Sequence, residues 1–330
     1  MGGHAFPNLN MVRLDKEDFL AESYCIMGIL DVLLSEKLHA TKSYTAKQSF
    51  GDLDLVTTAT TEKVAEVFRA SSSPCKVNGN VASVAWPISR ALESDELEWF
   101  QVDFICVPET EFSFACHYLD FNDLGNLIGR TYKRQGFSLG HQGLRYKFPG
   151  TNKSVTVTLN WLEAMTFMDY DYDHGSQQFD TTEDLFKFVA QSRYFSKEAC
   201  LLGNRSHRAR ARDGKRPVYK EFMTWLSLHE FYEQPADKYG QLDKAFKTWP
   251  EFVYAYYEVK QDIDSDAVVA AKFNGHLVTC WTGLTGEALG RVMADYKKDV
   301  GWKQFTLNAT ETEIKARVLS KHTVRLGCYG

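Results

Sequence analysis

Gly51-Asp52-Leu53-Asp54-Leu55 alternates acidic and aliphatic side chains, and few folds accommodate that pattern. A period of two is a strand signature, so Asp52 and Asp54 share one face while Leu53, Leu55 and Thr57 lie on the other. Two carboxylates at i and i+2 repel, and left alone one of them holds its proton to an unusually high pH. A strand keeps such a pair where a positive group sits between them, and hard oxygen donors select magnesium or manganese. The segment therefore asks for a sheet with one apolar face and one cation-seeking face.

A second acid belongs with this pair. Glu98–Val107 reads as another strand, in which Phe100, Val102, Phe104 and Cys106 face one way and Gln101, Asp103 and Ile105 the other. Asp103 is costly to bury in so apolar a run unless it meets a partner. Placed on a neighbouring strand, it completes a three-carboxylate site of the kind used for two-metal phosphoryl transfer.

Around these strands the pattern is mixed. Asp15 is positioned to cap a helix that runs to about Lys37, with Phe19, Leu20, Tyr24, Met27, Leu30 and Leu34 at helical spacing. Thr41–Lys47 is a short β-prone run, Thr60–Ala70 a helix, and Val77–Trp86 a strand or hairpin around Asn78-Gly79-Asn80. Asp123–Gln135 predicts a helix, Gly136–Gly143 a glycine-rich turn, and Ser154–Asn160 a strand. From Thr181 onward the apolar spacing is helical: Phe186, Phe188 and Val189 in one helix, Val218, Phe222 and Leu226 in another, Phe252, Tyr256 and Val259 in a third. The expected class is α+β, a small mixed-sheet domain followed by a mainly α-helical region. The expected domains are 1–115 (catalytic), 116–175 (an α/β extension or link) and 176–330 (helical, acceptor-binding).

Composition excludes several classes. Apolar residues make up 44% and charged residues 25%, as in ordinary soluble domains, and there is no apolar run long enough to span a bilayer. With no membrane contact expected and seven cysteines scattered singly, the chain reads as cytoplasmic, without a disulfide framework or a Cys-x-x-Cys zinc site. A net charge of −5 gives no global pull toward nucleic acid, so any polyanion site is a local patch.

One such patch stands out. Arg205, Arg208, Arg210, Arg212, Lys215, Arg216 and Lys220 lie within a short stretch opposed locally by Asp213 alone. Cations at this density neutralise phosphates and give salt-sensitive binding. A solvated helix face paired with acids from elsewhere in the fold is the other reading. Near the C-terminus, Gly283-Leu284-Thr285-Gly286 leads into a helical pattern. Either a phosphate at a helix N-terminus or tight packing through small residues fits it.

A helix, then Gly-Asp-Leu-Asp-Leu opening a strand, then a distant Asp in an apolar strand resembles the DNA polymerase beta-like nucleotidyltransferase superfamily. Asp52 and Asp54 match the paired aspartates of that superfamily and Asp103 the third. Lys47-Gln-Ser-Phe-Gly-Asp-Leu-Asp is also similar to predicted nucleotidyltransferases of phage and fungal genomes, and Gly283–Gly290 to a helical motif of CCA-adding enzymes. The resemblance implies Mg²⁺ or Mn²⁺ held by Asp52, Asp54 and Asp103, and a nucleoside triphosphate substrate, ATP foremost. The superfamily's Gly-Ser triphosphate motif is replaced by Ala40–Lys47, which leaves Lys47, Ser49 and Gly51 as the nucleotide-binding candidates. The acceptor expected from the basic run and the resemblance is RNA, tRNA-like. A protein or small-molecule adenylyltransferase, or an inactive nucleic-acid-binding or structural protein of the same fold, stays open beside it.

Overall fold

The chain enters through a two-residue strand, β1 (Leu14–Asp15), and turns at once into α1 (Lys16–Leu34). Asp15 makes that turn: its carboxylate accepts the Asp18 backbone N–H at 2.9 Å, and Glu17 and Asp18 sit where the helix dipole favours negative charge. The helix stops at Ser35, whose left-handed φ of 53° breaks the repeat, earlier than the Lys37 expected from spacing. Asp15→Ala is expected to lower unfolding stability by about 1 kcal/mol in urea titrations, the usual value of one N-cap. In this computed structural model, residues 5–88, 97–173, 177–204, 207–232 and 235–326 are described. They form a mixed α+β protein that divides between Phe252 and Val253 into two compact units.

The first unit holds the sheet. Its elements continue with β2 (Leu38–Ala40), β3 (Ser49–Phe50), β4 (Asp52–Thr57), α2 (Thr61–Ala70), β5 (Cys75–Asn78), β6 (Val81–Pro87) and β7 (Trp99–Cys106). The five-stranded sheet runs β2-β4-β7-β6-β5, and β1 pairs separately with β3. Every neighbouring pair in the larger sheet is antiparallel except β4–β7, which is parallel. The β5–β6 hairpin turns at Gly79 with φ of 61°, a conformation that suits glycine. Thr41–Lys47 is not a strand. The N–H groups of Thr41, Thr45 and Ala46 go instead to the carbonyls of Asp54, Phe179 and Asp180 and that of Lys42 to the Asp120 carboxylate, so the β-prone residues serve a connecting loop.

One sheet face is fully apolar. Leu53, Leu55, Phe100, Val102 and Phe104 pack with Leu30 and Leu34 of α1 and Val64 and Phe68 of α2 in a single core. The other face is split along its length. Val56 and Ile105 meet Val107, Ala115 and Cys116 from α3 (Phe112–Leu119) and the turn before it. Asp52, Asp54 and Asp103 come earlier on those same strands, beyond that cover.

The first unit continues with α4 (Leu124–Arg134), then β8 (Phe137–Gly140), β9 (Gly143–Lys147) and β10 (Ser154–Thr158), a three-stranded antiparallel sheet. Gly136–Gly143 is thus a strand and its hairpin turn rather than a loose turn. Helices α5 (Trp161–Phe167), α6 (Thr182–Ala190), α7 (Lys197–Cys200), α8 (His207–Asp213), α9 (Pro217–Ser227) and α10 (Lys238–Thr248) follow. In α9 the buried residues are Tyr219, Phe222 and Leu226, one step round from the expected Val218.

Beyond the division the chain is helical: α11 (Pro250–Lys272), which begins just before it, then α12 (Gly275–Thr282), α13 (Gly286–Lys297), α14 (Trp302–Asn308) and α15 (Glu311–Leu326). Phe273, Val278, Val292, Tyr296, Ile314 and Val318 form the core of this unit. Gly283 and Gly286 adopt φ of 72° and 56°, but nothing lies within 4 Å of where a Cβ would sit at Gly283, Gly286 or Gly290. Close helix packing through small residues is therefore not their role. No helix among the described residues is long and apolar enough to cross a membrane.

Candidate metal centre

Parallel pairing of β4 with β7 sets Asp54 directly beside Asp103 and Asp52 beside Gln101. Antiparallel pairing of β6 with β7 sets Ser83 on the far side of Asp103. Paired residues project to the same face, so side-chain alternation and register together gather the acids. One carboxylate oxygen from each of Asp52, Asp54 and Asp103 lies within 4.8 Å of the others.

Electrostatics show that negative charge outweighs positive in this arrangement. Burial, with the nearby charges of Asp52 and Asp103, pushes the Asp54 carboxyl up to about 7. Asp103 is also raised, first by burial, against hydrogen bonds from Ser83 and Gln101 that favour its charged form. Lys47 is the cation that faces the group. Burial holds its ammonium below the ordinary lysine value, while Asp52 and Asp54 pull it back up. Its Nζ lies 3.4 Å from Ser43 Oγ and 4.4 Å from the Phe50 ring centroid. Three hard oxygen donors in one half-buried cluster, one of them kept partly protonated by burial and by the charges of the other two, fit a divalent cation of the magnesium or manganese type.

Of the nucleotide-binding candidates, Lys47 stands with the acids and Gly51 is buried where β3 passes into β4. Ser49 is exposed and is engaged by Arg13, whose Nε donates to Ser49 Oγ at 3.0 Å and whose Nη2 donates to its carbonyl at 3.1 Å. Arg13 thereby adds a guanidinium near Lys47 that sequence reasoning did not find. Gln101 was missed as well. Buried, it donates from Nε2 to both Asp103 oxygens at 3.0 and 2.9 Å and accepts the Ala5 N–H at 2.9 Å. Its place two residues before Asp103 in an alternating strand was the available signal. Arg13, distant in sequence and brought in by the β1–β3 pairing, carried none.

The basic run is divided by its partners. Asp213 is fully buried and takes Arg130 at 3.3 Å and Arg212 Nε at 3.0 Å, while Arg216 pairs with Asp123 at the start of α4. Of the named cations, Arg212 is thus held by the acid inside the run and Arg216 by one from elsewhere in the fold. Arg210 and Lys215 are exposed, Arg208 lies in α8, and Arg205 falls outside the described residues.

Fold and site together define a mixed α+β protein with a three-carboxylate, cation-seeking centre on one sheet face. No protein-family model matches the sequence, and no curated protein matches it.

Proposed function

We propose that the chain is a metal-dependent nucleotidyltransferase of the polymerase beta-like kind, moving a nucleoside monophosphate from a triphosphate, ATP foremost, to an acceptor hydroxyl. The observation that carries this reading is the convergence of Asp52, Asp54 and Asp103 within 4.8 Å. In this reading the small mixed sheet is the catalytic domain and the helices beyond it serve the acceptor. Asp52, Asp54 and Asp103 would hold magnesium or manganese, which when bound supplies Lewis-acid charge compensation for phosphoryl oxygens.

The chain's own residues have separate tasks. Asp103, its carboxylate raised by burial and oriented by Gln101 and Ser83, takes the proton of the acceptor hydroxyl. The hydroxyl oxygen bonds to the α-phosphorus, the bond from that phosphorus to the β-phosphate oxygen breaks, and pyrophosphate leaves. Lys47, buried beside the acids, meets the negative charge of the triphosphate, with Arg13 behind it.

RNA is the acceptor we favour, on the strength of Arg210 and Lys215, two exposed members of the basic run that form no ion pair among the described residues. The direct test incubates the protein with each labelled triphosphate and Mg²⁺, offering total RNA or total protein. Label entering RNA supports the proposal in full, label in protein moves the acceptor, and label in neither refutes transfer to a macromolecule. Where RNA binds, Arg210→Glu with Lys215→Glu should flatten the slope of log affinity against log salt by about 1.4, two single-strand phosphate contacts at roughly 0.7 each. An unchanged slope would take the run out of the interface.

A further inference from the structure

Helix α1 is apolar on both sides, which fits a helix covered on both sides. Ile26, Leu30 and Leu34 bury one side in the sheet core. The rest of the circumference faces solvent, with Leu20 at 58%, Tyr24 at 83%, Ile29 at 47%, Val32 at 78% and Leu33 at 48% exposure. From Leu20 to Leu33 the exposed positions carry a single charge, Asp31. Together the five side chains offer on the order of 500 Å² of apolar surface, at the upper end of the largest patch on a typical monomer, roughly 300–600 Å².

We infer that this face binds the same face of a second copy of the chain, forming a two-fold homodimer through antiparallel α1 helices. The centre line of the face is Ala21, Cys25, Gly28 and Val32, spaced by four, three and four residues, the seam of a two-helix coil. Antiparallel seams meet end for end, so Ala21 lies opposite Val32 and Cys25 opposite Gly28 in each direction. No atom lies within 4 Å of where a Gly28 Cβ would sit, which leaves room for the facing helix to come close. Tyr24 flanks the seam on one side and Ile29 on the other, with Leu20 and Leu33 at the outer edges of the face. The pattern is self-complementary, as an isologous contact requires. The part of this area that a facing helix can cover is roughly half of the 800 Å² per partner in a standard interface, the remainder falling to the polar rim.

The test uses the 330-residue chain in sedimentation equilibrium together with cross-linking by a short bismaleimide. The expected result is a dimer at micromolar concentration whose cross-link is lost in Cys25→Ser. Val32→Glu should weaken the dimer at least tenfold. Gly28→Leu separates the two roles of that position. It should also weaken the dimer, yet raise the melting temperature of the dissociated chain by a few degrees, because leucine favours an exposed helix over glycine. A chain that sediments as a monomer at tens of micromolar overturns the inference. So does a dimer that tolerates both substitutions, or one whose cross-link survives without Cys25.

Discussion

Asp54→Asn and Asp103→Asn should each lower nucleotidyl transfer by on the order of 10³-fold while leaving the fold in place. Asparagine keeps the shape of aspartate but supplies a neutral oxygen, so the change removes charge and little else. Charge stabilisation of a phosphoryl transition state by a held cation is worth several kcal/mol, and a loss of about 4 kcal/mol corresponds to roughly three decades in rate. Both positions are half-buried rather than core, and the apolar face of the same strands is untouched, so circular dichroism should be unchanged. The loss should fall on kcat, since these groups act where bonds change. Lys47→Ala should chiefly raise the KM for triphosphate. Either asparagine variant retaining activity within tenfold of the parent chain would remove these carboxylates from the chemistry.

The part of the site that was legible in the sequence was the part set by local geometry. Alternation alone placed Asp52 and Asp54 on one face, because side-chain direction in a strand depends on nothing beyond the strand. It also placed Asp103 opposite Phe100, Val102 and Phe104, and those three are in the core. The register that sets Asp54 beside Asp103 was not legible. It depends on β4 and β7 pairing in parallel across an intervening helix and hairpin, a long-range choice made by the packing of α1 and α2 on the sheet.

Propensity misled at Thr41–Lys47 for a related reason. β-branched and aromatic residues favour strands only where a neighbouring strand is free to take their hydrogen bonds. At the edge of this sheet β2 occupies that place through Leu38–Ala40, and the residues after it turn away toward Phe179 and Asp180. At Gly136–Gly143 the glycines suggested a turn and hid the strand between them, where Phe137 and Leu139 are buried. In the basic run one partner, Asp213, was in view and the other came from outside the window. Asp123 lies far upstream of Arg216, and only the fold brings them together.

The same carboxylates that carry the chemistry should govern how stability varies with pH, and with the opposite sign from an ordinary salt-bridged aspartate. Folding raises the Asp54 carboxyl from its ordinary 3.8 to about 7. The folded state therefore holds that proton more tightly than the unfolded chain does. This contribution is fully present below the unfolded value and is lost as pH rises toward 7. Without divalent metal, the chain should lose on the order of 2–3 kcal/mol from this group between pH 5 and pH 8, at 1.36 kcal/mol per pKa unit. Asp54→Asn cannot titrate, so it should remove that slope and melt above the parent chain at pH 8. Adding Mn²⁺ should close that gap. A cation needs the ionised carboxylate and so binds better as pH rises, and at a concentration of 100 times its Kd it adds about 2.7 kcal/mol, several degrees in melting temperature. In thermal melts across this pH range, the parent chain should gain from Mn²⁺ at pH 8 and little at pH 5, while Asp54→Asn gains at neither. Parallel pH slopes for the two proteins without metal would mean that Asp54 is not the strained group. An equal Mn²⁺ gain in both would mean that the ion binds somewhere else.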